Sequence, residues 1–138
     1  MKRLVYVATL LLLTGMTFGQ VLPMGTLIGT HIMKINLNPG VSMEEFIQCL
    51  TGKYLPEMNK LDPDWQVYLV KGVRGTVNAD AYGMIHVIKS EQVRSKYINP
   101  DGSRTELQKS ESGKLKPVTD ELSKFGTYTY EYTDWIVK

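Results

Sequence analysis

From residue 30 onward the chain switches repeatedly between two hydrophobic periods. Thr30 to Leu37 alternates, with Met33, Ile35 and Leu37 on one side and Lys34 and Asn36 on the other, which predicts a half-buried strand. Asn38, Pro39 and Gly40 end it, and a helix start follows at once: Ser42 as N-cap, Glu45 to close a capping box, and Val41 placed to staple against Phe46. Met43, Phe46, Ile47, Leu50, Leu55, Met58 and Leu61 continue at mostly helical spacing. Pro56 removes a backbone donor, so the helix should kink or split after Tyr54, and Asp62, Pro63 and Asp64 stop it. Trp65 to Lys71 reads as a second strand with Trp65, Val67 and Leu69 on one side. After a loop over 72–80, the third strand, Ala81 to Lys89, is largely apolar on both parities. Ser90 then caps a short helix, Asn99 to Gly102 carries turn chemistry, and Ser103 with Glu106 offers a capping box before a polar helical stretch near 104–112. Val118, Leu122 and Phe125 stripe a further helix from Pro117 to Phe125, ended by Gly126, and Thr127 to Val137 alternates tyrosines at 128, 130 and 132 with polar residues, as a last strand.

The order strand, helix, strand, strand, helix, strand predicts an α+β ferredoxin-like sandwich: one antiparallel sheet in the order 4-1-3-2 with both helices on one face. Choosing the more apolar or smaller parity of each strand for the helix side puts Met33, Ile35, Leu37, Val67, Leu69, Gly83, Ile85, Val87 and the three tyrosines there. His31 falls on that side too. The open face then carries Ile32, Lys34, Asn36, Gln66, Tyr68, Met84, His86, Ile88, Thr129, Glu131 and Thr133.

The N-terminus changes the compartment. Lys2 and Arg3 precede an apolar run from Leu4 to Leu13 and a small-residue stretch ending at Gly19. A run of about ten residues is too short for a bilayer span, which needs about 20, and suits a secretory signal over 1–19, leaving one domain over 20–138. No cysteine follows the run to take a lipid anchor, so the exported chain is expected free of the membrane, in the periplasm or secreted. Removing Lys2 and Arg3 with the signal brings the 16 basic residues into balance with the 14 acidic ones. A neutral domain lacks the basic face that nucleic acid demands. Cys49, the single cysteine, cannot form an internal disulfide and is expected as a partly buried, inert thiol.

Candidate chemistry concentrates on the expected open face. An apolar floor with Lys34, Asn36, Tyr68, His86 and Glu131 has the make-up of a small-molecule site or of a subunit interface. Lys34 and Glu131 are placed to pair across adjacent strands, and His86 could serve as donor or general base. With the expected parities His31 and His86 lie on opposite faces, and two histidines alone do not make a metal site. Arg74 between glycines is a solvated loop charge or a weak anion site, without the residues of a phosphate loop. Neither a cofactor nor a metal is indicated by any motif.

The stretch Met33 to Phe46, MKINLNPGVSMEEF, resembles the first strand, Pro-Gly turn and first helix of dimeric α/β-barrel proteins, the superfamily that includes the NIPSNAP-like, stress-responsive barrel and antibiotic-biosynthesis monooxygenase groups. The resemblance implies a homodimer in which two open sheet faces close a barrel. Its members range from cofactor-free oxygenases and haem-degrading enzymes to proteins without known activity, and no catalytic residue carries over. The reading is therefore an exported homodimer that binds a small, partly apolar molecule inside the barrel. Two alternatives stand beside it: a cofactor-independent monooxygenase or isomerase with His86 as base and Lys34 or Tyr68 polarising an oxygen, and a protein-interaction module of the cell envelope.

Overall fold

A computed structural model describes residues 22–75 and 81–138. The expected signal segment and the loop residues 76–80 lie outside the described residues. Four strands, β1 (Leu27–Leu37), β2 (Trp65–Lys71), β3 (Tyr82–Ile88) and β4 (Gly126–Ile136), form one antiparallel sheet in the order β2-β3-β1-β4. This is the expected order, consistent with a ferredoxin-like fold.

Between β1 and β2 the chain forms α1 (Met43–Cys49), a π-helical turn over Leu50–Tyr54, and α2 (Leu55–Leu61). The capping box forms as expected: Ser42 Oγ accepts from Glu45 N–H while the Glu45 carboxylate accepts from Ser42 N–H at 2.8 Å. The expected break at Pro56 takes a specific shape. Without an N–H at residue 56 the regular ladder cannot continue, and the preceding turn widens so that Leu55 N–H donates to Leu50 O, five residues back. Helical geometry resumes with Pro56 in the first turn of α2, where its missing donor costs nothing.

Three short helices connect β3 to β4: α3 (Glu91–Ser95), α4 (Glu106–Lys114) and α5 (Lys116–Leu122). Ser90 caps α3 as expected, but Thr105, not Ser103, caps α4 by accepting from Gln108 N–H at 3.2 Å. Ser103 is held instead by Asp101, whose carboxylate accepts from both its N–H and its hydroxyl. Gly126 opens β4 rather than closing a helix, because Ser123 already serves as the C-cap of α5.

The core lies between one sheet face and the helices. Phe46 and Leu50 are fully buried against Met33, Val67, Met84 and Leu122. Each such side chain contributes about 1.5–3 kcal/mol. Leu27, Ile88 and Val93, with Trp65 beside them, make a smaller cluster that docks α3 on the end of the sheet.

One strand is turned over relative to the sequence reading. The helix side of β3 carries Met84, His86 and Ile88, all buried, while Ile85 and Val87 are only half-buried on the other face. The register decides this: His31 faces Met84 and Val67 faces His86, so these residues share the face of the core. Gly83 lies against β1 so closely that a Cβ there would meet the His31 carbonyl at 2.8 Å. Apolarity could not choose between the two parities, because both are apolar.

Candidate functional site

The turned strand moves His86 away from its expected neighbours. Lys34, Asn36, Tyr68 and Glu131 share the open face, all exposed, but Tyr68 stands on the β2 edge strand, two strands away from Lys34. Lys34 Nζ donates to Glu131 Oε1 at 2.6 Å, the expected cross-strand pair, and this contact lowers the Glu131 pKa. His86 lies beneath the helices, on the far side of the sheet, 5 % exposed.

There it meets His31. The two imidazoles stack with centroids 4.1 Å apart, and His31 stacks in turn on Tyr130 at 4.6 Å. On its other side His86 receives a hydrogen bond, Trp65 Nε1–H donating to His86 Nδ1 at 3.0 Å. A row of rings, Trp65, His86, His31 and Tyr130, thus crosses the sheet from β2 to β4. Indole N–H is only a donor, so His86 Nδ1 is unprotonated and the neutral ring carries its proton on Nε2. Burial, and secondarily the neighbouring His31, depress the His86 pKa to about 3. A base needs a free lone pair and a pKa near the working pH; in this geometry Trp65 engages the His86 lone pair and burial lowers its basicity.

His31 is half-buried, and burial lowers its pKa while Asp134 opposes the shift. Asp134 Oδ2 accepts from Arg94 Nε at 3.2 Å, tying β4 to α3. Asp134 Oδ1 and His31 Nε2 both lie over Gly29, where a Cβ would stand 3.1 Å from the oxygen and 3.6 Å from the nitrogen. A side chain at position 29 would part these groups. His86 Nε2, His31 Nδ1 and Gln108 Oε1 are buried without hydrogen-bond partners among the described residues.

These rings floor a cleft of about 780 Å³ between the sheet and the helices. Tyr54, Met58 and Leu61 wall one side, Tyr97, Ile98 and Gln108 another. The π turn sets Tyr54 here, where its hydroxyl hydrogen-bonds to Tyr128; burial first, then the charge interaction with Tyr54 and this bond, raise the Tyr128 pKa. Tyr97 donates to Asp62 Oδ2 at 2.8 Å, and burial together with that carboxylate pushes its pKa up to about 12. The lining therefore sets aromatic rings, Met58 and Met84 beside phenols and imidazoles, and it also includes charged side chains, Asp62, Arg94, Arg104 and Asp134 among them. Among the described residues no three His, Cys, Asp or Glu side chains gather as a metal site, and no helix is long and apolar enough to cross a membrane.

Cys49 is buried in the core, and its pKa is raised chiefly by burial. Arg74 is exposed next to the loop residues outside the described set. Sequence reasoning placed Trp65, Tyr128, Tyr130, Tyr132 and His31 on the correct face, but missed Asp134, Arg94, Tyr97 and Gln108. Trp65 and His86, 21 positions apart, carry no local signal of their contact, which only strand register creates.

No protein-family model matches the chain, and no curated protein or solved structure shows significant similarity to it.

Proposed function

We propose that this is an exported, homodimeric binding protein that takes a small, partly apolar molecule into the cleft between its sheet and its helices. The carrying observation is the cleft itself: at about 780 Å³ it falls within the roughly 300–1,000 Å³ of ligand sites, and its lining exposes more apolar than polar surface while offering many hydrogen-bonding and charged groups. The site differs from the one read from sequence, which lay between two open sheet faces; Lys34, Asn36, Tyr68 and Glu131 form no part of its lining. Export rests on the signal-like residues 1–19, and the homodimer on the sheet surface, open face and β4 edge, that no helix covers among the described residues.

Native mass spectrometry of protein purified from its own host tests the reading. Wild-type protein should carry an extra small-molecule mass, and Met58→Trp, whose larger ring would project from the cleft wall into the ligand space, should carry less of it. Wild-type protein that carries nothing and gains no thermal stability from a metabolite library would sink the proposal.

An enzymatic version has one specific support. With the His86 lone pair engaged by Trp65, His31 is the histidine left to accept a proton, and Asp134 favours its charged form. An isomerase or cofactor-independent oxygenase on this scaffold would lose turnover in His31→Gln while retaining ligand binding.

A further inference from the structure

The two edges of the sheet are built differently. At the β2 edge, Asn59 of α2 imitates a neighbouring strand: its side-chain oxygen accepts from Val67 N–H at 2.8 Å and its amide donates to Val67 O at 2.9 Å. That blocks the edge at Val67. β4, at the other edge, has no such cover among the described residues. It is 11 residues long, contains no proline, and pairs with β1 in unbroken register from end to end. In that register Asn38 N–H donates to Phe125 O and Val137 N–H to Thr26 O. Hydrogen-bonding direction alternates along a strand, so the odd residues of β4 bond to β1, and the backbone groups of Tyr128, Tyr130, Tyr132, Asp134 and Ile136 point outward. Its two charges do not guard the edge either, since Glu131 is paired with Lys34 and Asp134 with Arg94. Large side chains left exposed also concentrate here: Tyr130, Tyr132, Trp135 and Ile136.

We infer that the outer edge of β4 is a strand-pairing surface whose partner is β4 of a second copy of this chain, joined antiparallel about a twofold axis into one eight-stranded sheet. This rests on the homodimer reading above and gives it a geometry. Face-to-face closure would bury the exposed Lys34–Glu131 pair, whose desolvation opposes association; edge pairing leaves it in water. The axis passes at Tyr130 or Tyr132. Either position sets Glu131 opposite a threonine, Thr129 or Thr133, whereas an axis at residue 131 would set Glu131 against itself, an unfavourable like-charge pair.

Light scattering, amide hydrogen exchange and cysteine cross-linking on the same preparation test this. A dimer should form in which the amides of Tyr130 and Tyr132 become protected as concentration rises. Tyr132→Pro removes an outward donor together with the ring that lies against His31, and relative to Tyr132→Ala, which loses the ring alone, it should weaken the dimer about tenfold or more. The residue on the axis faces its own copy at about 5.5 Å between Cα atoms, within disulfide reach. Tyr130→Cys or Tyr132→Cys should therefore yield a covalent dimer on mild oxidation, and Tyr68→Cys on the open face should not. A monomer at all concentrations overturns the inference and the homodimer reading together. A dimer that cross-links through Tyr68→Cys, with β4 amides unprotected, overturns the edge pairing and leaves the homodimer standing.

Discussion

Protonating His86 means placing a charge in a dry site and displacing the Trp65 N–H from Nδ1. The folded protein resists this down to a pKa of about 3, whereas the unfolded chain accepts the proton near 6.5. Folded-state pKa depression of a histidine costs stability as pH falls, because the unfolded state binds the proton first. Stability should therefore decline from pH 6.5 downward, by about 2.5 kcal/mol between pH 7 and 4.5 from His86. His31, lowered by burial as well, acts in the same direction. Urea unfolding at a series of pH values measures this. His86→Leu should be less stable at pH 7, since the Trp65 donor loses its acceptor at a cost of about 1–3 kcal/mol, yet it should show a visibly flatter acid slope. An equal slope in both proteins would show that the histidine stack is not the acid-sensitive point.

Among the elements, α1 is the one whose start is fixed by local chemistry alone. Ser42→Ala removes the acceptor for Glu45 N–H and should destabilise the protein by about 1 kcal/mol, read as a shift in urea midpoint with unchanged slope. The rest of that helical segment depends on a conflict. Pro56 was visible as a disruption, but whether it would kink, split or widen the helix depended on the packing of Leu50 and Leu55 beneath it, both buried. The outcome, a π turn, is what delivers Tyr54 to the cleft. On α4 the sequence pointed to Ser103 as the cap, but Asp101 occupies Ser103 and Thr105 caps the helix instead.

At the scale of the molecule, two faces and two edges of one sheet differ: one face holds the core and the cleft, the other carries no helix among the described residues, one edge is capped by Asn59 at Val67, and the β4 edge is uncovered among the described residues. Asn59→Leu should destabilise the protein by about 2–3 kcal/mol by leaving both Val67 backbone groups unpaired, and should promote aggregation through β2, which turbidity during refolding would report. Unchanged stability would mean that this edge is protected by something other than Asn59. Strand order, the helix start at Ser42, the Lys34–Glu131 pair and the side of the sheet taken by β1, β2 and β4 were all legible in the residues, because alternation, capping and turn chemistry act over a few positions. The meeting of His31, His86 and Trp65 was not. β3 is apolar on both parities, so its orientation followed from pairing with β1 and from Gly83 lying against the His31 carbonyl, contacts between segments about 50 residues apart in the chain. Local pattern set which elements form; long-range register alone decided which face of the sheet would receive the second histidine, and with it where a ligand could bind.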